Sequence, residues 1–525
     1  MNKRLAALLG GIAALGGASP PSPPPARAPV DLLVRGGTVY PGSGAPFVGD
    51  VAISGDRIVA VGRRLRSAAR RTIDARGMIV APGFIDPHAH LGEQLAAADA
   101  PTRLVPGFLL QGVTTALIGN DGGGDPDVRS VLARASTHPA GINYGAFVGF
   151  GEVRRAVIGD ADRAPTSDEL ARMRRIVADG MCGGAMGLST GLFYAPQSFA
   201  TTAEVSALAR QAGLRGGVYD SHIRDESSYS IGLAAAVEEA LTVGRDGRLP
   251  VNISHIKALG VDVHGQAPAI IARIEAARRA GQRVTADQYP WSASGTSLAA
   301  ALVPRWAQDG GRAALLRRFD DPALAERLRA DMADNLRRRG GPASLLITEG
   351  AHRGQRLSQA AEALRLDPLA AAIAIVRVQD PSVASFNQTE EDIAAFMRRP
   401  WVMTGSDASN GHPRAYGSFA RKYADYVVRR RVLTLRAFIA RSTALPADTF
   451  GLQDRGRLRP GAYADLVVFD PRTYAAQATY EQPTLPATGV RFVLVNGIAA
   501  VENGALTGRA PGRALAHMPP AGSCP

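Results

Sequence analysis

Lysine is almost missing from this chain: Lys3, Lys257 and Lys422 are the only three in 525 residues, although Lys and Arg together number 60. The basic residues are therefore nearly all Arg, and they are scattered. A net charge of +13 and a pI near 10.2 would allow an acidic partner. RNA-recognition and zinc-finger signatures are absent, however, so the charge reads as an Arg-rich solvated surface and no nucleic-acid partner is expected. Cysteine is scarcer still, with Cys182 and Cys524 alone. That count excludes a Cys-based zinc site and any disulfide framework, and nothing in the sequence gives these two a reason to pair. An exported protein of this size needs no disulfides, so their scarcity does not argue against export. Long apolar runs are missing too: the N-terminal one, residues 5–17, is too short to cross a bilayer comfortably, so no stable membrane span is expected.

What is present begins with a leader-like segment. Lys3 and Arg4 precede that short apolar run, and small residues and a Pro-rich stretch follow it, so residues 1–28 read as a signal peptide plus a stiff lead-in. Export, to a periplasm, is the expectation. No cysteine stands near the N-terminus, which argues against a lipid-modified leader. Residues 30–80 then show short alternating pieces such as "DLLVRGGTVY" and "DVAISGDRIVAVG", and the texture returns over 451–515 in "ADLVVFDP" and "VRFVLVNGIAAVENG". Two β-rich ends around a different middle predict a small β-sandwich built from both termini.

The middle, 81–450, is α/β. Eight apolar runs alternate with amphipathic stretches: "GFIDPHAH", "VTTALIGN", "NYGAFVGF", "GAMGLST", "GVYDSHIR", "PVNISHIK", "RVTADQYP" and "WVMTGSDA". Capping-box spacings at Thr166/Glu169 and Thr201/Glu204 mark two helix starts. This alternation predicts a TIM-like (β/α)8 barrel. The rhythm breaks once, between the seventh and eighth runs. That interval, with its Arg- and Ala-rich pattern over 311–339, is expected to form an inserted lid at about 292–360.

The histidines carry the chemistry. His88 and His90, one residue apart at the end of the first strand, face the same side. His222 and His255 end the fifth and sixth strands and Asp407 ends the eighth. The C-terminal ends of barrel strands are where such folds keep their active sites. His138, His264, His352 and His517 fall in loops, linkers or the tail. Asp121 closes the second strand in "VTTALIGNDGGG". Alone it reads as the start of a solvated turn. With four imidazoles converging on the same mouth it reads as a metal ligand, and as a bridge if two ions are bound.

The ordered series "APGFIDPHAH", "GLSTGLFYAPQSFATTAEV", "SHIRDE", "ISHIK", "DQYPW", "GSDA" and "GRLRPGAYADLVVFDP" resembles the amidohydrolase superfamily, and within it the N-acyl-D-amino-acid deacylase (D-aminoacylase) family. The resemblance implies one metal position at His88, His90 and Asp407 and another at His222 and His255. It also implies Asp407 as general base, and Lys257 and Tyr289 as the clamp for the amino-acid carboxylate, with Tyr194, Arg224 and Arg414 as further contacts. The expected substrate is a small N-acyl amino acid or short peptide. Where the family shows Asn-Cys-Gly, this chain has Asn120-Asp121-Gly122. An all-N/O site accommodates one or two Zn2+ ions, and Mn2+, Co2+ or Ni2+ can compete. The fourth run lacks the Lys that hydantoinase-like members carbamylate, which disfavours cyclic amides. Two alternatives stand beside the deacylase: an exported dipeptidase or D-peptide hydrolase, and a periplasmic anion-binding protein on a barrel scaffold.

Overall fold

The computed structural model describes residues 29–409 and 411–524; the leader expected over 1–28 lies outside them. Eight short parallel strands form the centre: β1 (Phe84–Asp86), β2 (Val113–Ile118), β3 (Asn143–Ala146, continuing as Val148–Gly149), β4 (Gly187–Gly191), β5 (Val218–His222), β6 (Val251–Ile253), β7 (Val284–Gln288) and β8 (Val402–Thr404). Nearly every residue in them is buried, as expected of strands covered on both faces. The ladder runs as two arcs. β1, β2 and the first part of β3 form one, and the second part of β3 pairs with β4 to start a six-stranded arc ending at β8. Between β8 and β1 the ring is joined just past the strand ends: the Asp407 amide donates to the His88 carbonyl at 2.9 Å and the His90 amide to the Ala408 carbonyl at 3.0 Å. The architecture is the expected (β/α)8 barrel, joined at the β8–β1 seam by these bonds rather than by a continuous ladder.

The helices start where local chemistry places them. Thr166 and Glu169 form a complete capping box. Thr201 caps its helix through the Glu204 amide, but the Glu204 carboxylate is drawn away to the buried Arg154, so only half of that box forms.

Both chain ends join one sheet of nine strands, in which Leu466–Phe469 and Val490–Val495 from the C-terminal side continue the N-terminal strands through Ile79–Pro82. The expected sandwich is thus hydrogen-bonded as a single sheet. It curves enough for Val34, Val51, Ile58, Leu466 and Leu494 to share a core. The insertion is longer than expected. It runs from Ala293–Ser297 to Ser382–Phe386, because these two strands pair antiparallel and Leu345–Ile347 adds to the second. It has its own apolar core, including Leu302, Met332, Leu345 and Val376. Residues 361–386 therefore belong to it, and the boundary near 360 is corrected. A second correction concerns the cysteines: Cys182 and Cys524 form a disulfide, which ties the C-terminal tail to the barrel across 342 residues of chain.

Candidate active site

Five strand ends converge at the barrel mouth. β1 delivers His88 and His90, β2 leads to Asp121, β5 ends on His222, β6 leads to His255 and β8 to Asp407. The Asp121 carboxylate faces all four rings: Oδ1 lies 3.4 Å from His88 Nε2 and 3.5 Å from His255 Nε2, and Oδ2 lies 3.5 Å from His90 Nε2 and 3.4 Å from His222 Nδ1. Asp407 Oδ1 stands 3.2 Å from His90 Nε2 and 3.7 Å from His88 Nε2. Donors held 2.0–2.1 Å from a tetrahedral ion stand about 3.4 Å apart, so these spacings are the edges of a coordination polyhedron. Both ring nitrogens of His88 and of His222, together with Asp121 Oδ1, are buried with no hydrogen-bond partner. Buried polar atoms are rarely left so, and a divalent cation would satisfy Asp121 Oδ1 together with one nitrogen of each ring. The donor atoms of His88, Asp121, His255 and Asp407 cluster within 4.8 Å of one another, as do those of His222, Glu226 and His255. The residues fit a metal centre with two adjacent positions.

The backbone supports this arrangement at some cost. Asp121, His255 and Asp407 adopt φ of 56°, 35° and 48°, a left-handed region that costs non-glycine residues about 1–3 kcal/mol each. Surrounding bonds hold them there. Gln197 donates to the Asp121 carbonyl at 2.9 Å, the His255 amide donates to Asp287 at 2.9 Å, and the Asp407 amide is held by His88. Gly122, at φ 73°, lies so close to Gln197 that a Cβ would sit 2.1 Å from its Oε1.

Electrostatics point the same way. Burial disfavours charge on the His90 and His255 rings, yet the facing carboxylates outweigh it and push them up to about 9 and about 10. Burial likewise opposes ionisation of Asp121 and Asp407. The histidines around the first, and Arg414 and His255 beside the second, hold both carboxyls well below the usual range. The acids thus demand cationic partners, which in the metal-free protein are imidazolium protons that a divalent ion would displace.

Beneath the mouth lies a buried polar layer that the sequence did not reveal. Asn120 donates to Asp220 at 2.9 Å and to the Pro87 carbonyl at 3.1 Å, and Asn252 bridges Asp220 and Asp287 at 2.8 Å each. Burial raises Asp86 to about 7 and Asp220 to about 6. Asp287 Oδ1 lies 3.9 Å from His88 Nδ1, the ring atom facing away from Asp121.

Above the mouth is a cavity of about 350 Å3. Lys257, Tyr289, Tyr194 and Arg414 line it, together with His412. Lys257 is buried, bonded to Glu226 and 2.7 Å from His255 Nδ1. Glu226 stands in the "SHIRDE" motif four residues after His222, the only signal that could have marked it. Arg414 donates to Asp407 Oδ2 at 2.6 Å and to the Ser409 hydroxyl at 2.8 Å. Arg224 is placed elsewhere: it pairs with Glu239 at 2.8 Å and donates to the carbonyls of Ser198 and Ala200, outside the cavity wall. His412 accepts from the Arg414 amide and bonds the Ala293 carbonyl at 3.2 Å, so its ring is occupied structurally. His138 and His352 bond neighbours in sequence, and His264 and His517 bond the carbonyls of Asn387 and Arg215, so none of the four joins the cluster at the mouth.

Residues 71–499 match the amidohydrolase family model. The chain is 35% identical to the N-acyl-D-glutamate deacylase of Alcaligenes xylosoxydans xylosoxydans, covering 93% of this chain and 96% of that one. It is 34% identical to the D-aminoacylase of the same organism, covering 93% and 98%. Among solved structures, the N-acyl-D-glutamate deacylase of Bordetella bronchiseptica, complexed with zinc and a phosphonate mimic of the tetrahedral intermediate, superposes with a TM-score of 0.80 at 32% identity, covering 93% of this chain and 100% of that one. With the histidine and aspartate geometry above, these similarities establish that the chain belongs to the amidohydrolase family and, within it, to the metal-dependent D-aminoacylases.

Proposed function

We propose that the protein hydrolyses the amide bond of N-acyl-D-amino acids, releasing a carboxylate and a free D-amino acid, and that it works outside the cytoplasm with zinc at one or both positions of its site. The observation that carries the reading is the Asp121 carboxylate, equidistant from four histidines at the floor of a cavity lined by Lys257, Tyr289 and Arg414. His88, His90, Asp121, His222, His255 and Asp407 would hold a divalent ion there, which would supply Lewis acidity toward the scissile carbonyl and bring the ionisation of water toward neutral pH. The all-N/O donor set suits zinc and leaves Mn2+, Co2+ and Ni2+ as competitors.

The residues of the chain do the rest. Asp407 presents Oδ1 to the centre while Arg414 fixes Oδ2, so the oxygen that faces the centre is the one placed to take a proton from the attacking water and hand it to the departing amine. Water contributes its oxygen to the acyl carbon as the carbon–nitrogen bond breaks. Lys257 and Tyr289 supply the cation and the hydroxyl that orient the amino-acid carboxylate. Export is supported by the leader-like residues 1–28 and by the Cys182–Cys524 disulfide, a bond that persists in oxidising compartments.

The test is a hydrolysis panel on metal-quantified protein, with N-acetyl-D- and N-acetyl-L-amino acids and D-containing dipeptides. Cleavage of the N-acyl-D compounds alone is the expected result. Cleavage of dipeptides alone would replace the deacylase reading with that of a D-peptide hydrolase.

A further inference from the structure

The insertion supplies a buried cation that the proposed reaction leaves without a task. Of three consecutive arginines at the end of the helix Pro322–Arg338 and just past it, Arg337 pairs with Asp262 at 2.7 Å and Arg338 pairs with Asp334. Arg339 turns inward instead. It is 1% exposed and lines the cavity; its Nε donates to the Ala301 carbonyl at 3.1 Å, and its Nη1 has no partner among the described residues. Its neighbours deepen the deficit. The guanidinium groups of Arg339, Arg338 and Arg305 all lie within 6 Å of the Tyr229 ring. Among the described residues, only Arg338 of the three has a carboxylate partner, Asp334, and Asp225 accepts from the amides of Ser227, Ser230 and Gly232 rather than from a guanidinium. Burial, with Arg339 nearby, lowers Arg305 to about 10. A buried guanidinium with an orphaned donor is costly unless an anion meets it.

We propose that Arg339 receives a second carboxylate of the substrate, so that the preferred substrates are dianions: N-acyl derivatives of acidic D-amino acids, or D-amino acids carrying a dicarboxylic acyl group. This rests on the deacylase reading and extends it. Overall similarity does not make the choice, because the two Alcaligenes relatives named above are almost equally close. The first carboxylate sits against Lys257 and Tyr289 on the barrel side, and the second is met from the insertion side. Neutralising a buried cation is worth more than filling an apolar slot, so discrimination between a carboxylate and its amide isostere should be large.

The experiment compares kcat/KM for N-acetyl-D-glutamate, N-acetyl-D-glutamine, N-acetyl-D-leucine and N-succinyl-D-leucine in the wild-type holoenzyme, Arg339→Met and Arg339→Lys. It is paired with calorimetric binding of D-glutamate and D-glutamine to the same proteins. The expected result is at least a tenfold wild-type preference for a dianion over its monoanionic partner. It collapses in Arg339→Met with N-acetyl-D-leucine turnover retained, and is partly kept in Arg339→Lys. Preference for N-acetyl-D-glutamate assigns the second carboxylate to the side chain, and preference for N-succinyl-D-leucine assigns it to the acyl group. Equal turnover of dianions and monoanions, or an equal loss on all substrates in Arg339→Met, overturns the proposal while leaving the deacylase reading intact. Cleavage of no N-acyl-D compound sinks that reading instead. In that case tenfold tighter binding of D-glutamate than D-glutamine, abolished in Arg339→Met, still supports the anion role of Arg339, and equal binding overturns it.

Discussion

At the scale of single residues, the proposed function gives Asp121 and Asp407 separate tasks, and each can be removed separately. Asp407→Asn keeps an oxygen toward His90 but cannot hold a proton, so kcat should fall by about 10²–10⁴-fold with the metal-to-protein ratio unchanged. Elemental analysis of dialysed protein beside steady-state kinetics checks both halves; near-normal turnover removes Asp407 from the role of base. Asp121→Ala removes the oxygens that face all four rings, so it should lose metal as well as activity. Asp121→Cys should regain metal through a thiolate, and peroxide should then inactivate it faster than the wild type. A Cys variant as peroxide-resistant as the wild type would show that the carboxylate offers no protection at this position.

Among the elements, the π-helical turn Lys422–Arg429 that follows β8 carries a titration of its own. Lys422 is fully buried, donates to the Met403 carbonyl at 3.4 Å, and is lowered by desolvation to about 7. In the unfolded chain it titrates near 10.4. Between these values the unfolded state binds more protons, so this group makes stability rise with pH from about 7 to about 10. Lys422→Met, which keeps the length and removes the charge, should therefore raise the Tm most at and below pH 7, with a gain that shrinks toward pH 10. A gain that does not vary with pH would mean that packing rather than ionisation is responsible. The insertion makes a related point about elements. Its strand Ser382–Phe386 pairs with Ala293–Ser297 across more than eighty residues, a closure set by partners distant in sequence.

Across the whole molecule, the disulfide and the nine-stranded sheet both fasten the chain ends to the barrel. The tail runs alongside β3, where the Leu515 amide donates to the Tyr144 carbonyl at 2.8 Å, and its Cys524 is bonded to Cys182, the last residue of the helix Ser167–Cys182. Cutting this bond frees a very long loop in the unfolded state without touching the mouth. Cys182→Ser should cost about 2–5 kcal/mol of stability and leave kcat/KM at 25 °C unchanged. Denaturant melts with and without reductant should coincide for the variant and separate for the wild type. Coincident wild-type melts would show that the bond adds nothing to stability.

The barrel and most of the side chains that converge at its mouth were legible because both are written in local pattern. Strand runs, helix caps and the one-residue spacing of His88 and His90 need only neighbours in sequence to be understood, and strand ends in this fold point to one mouth. Asp121 became readable once the histidines were placed. Pairing and enclosure could be decided only in three dimensions. The Cys182–Cys524 bond, the far boundary of the insertion, the buried layer of Asp86, Asp220 and Asp287, and the diversion of Arg224 to Glu239 all depend on contacts between segments far apart in the chain. Arg337, Arg338 and Arg339 are identical letters in a row, and only the packing of the insertion against the barrel leaves the first exposed, half-buries the second and buries the third in the cavity wall. Sequence determined which side chains could do chemistry; desolvation, which exists only once the chain is folded, determined which of them must.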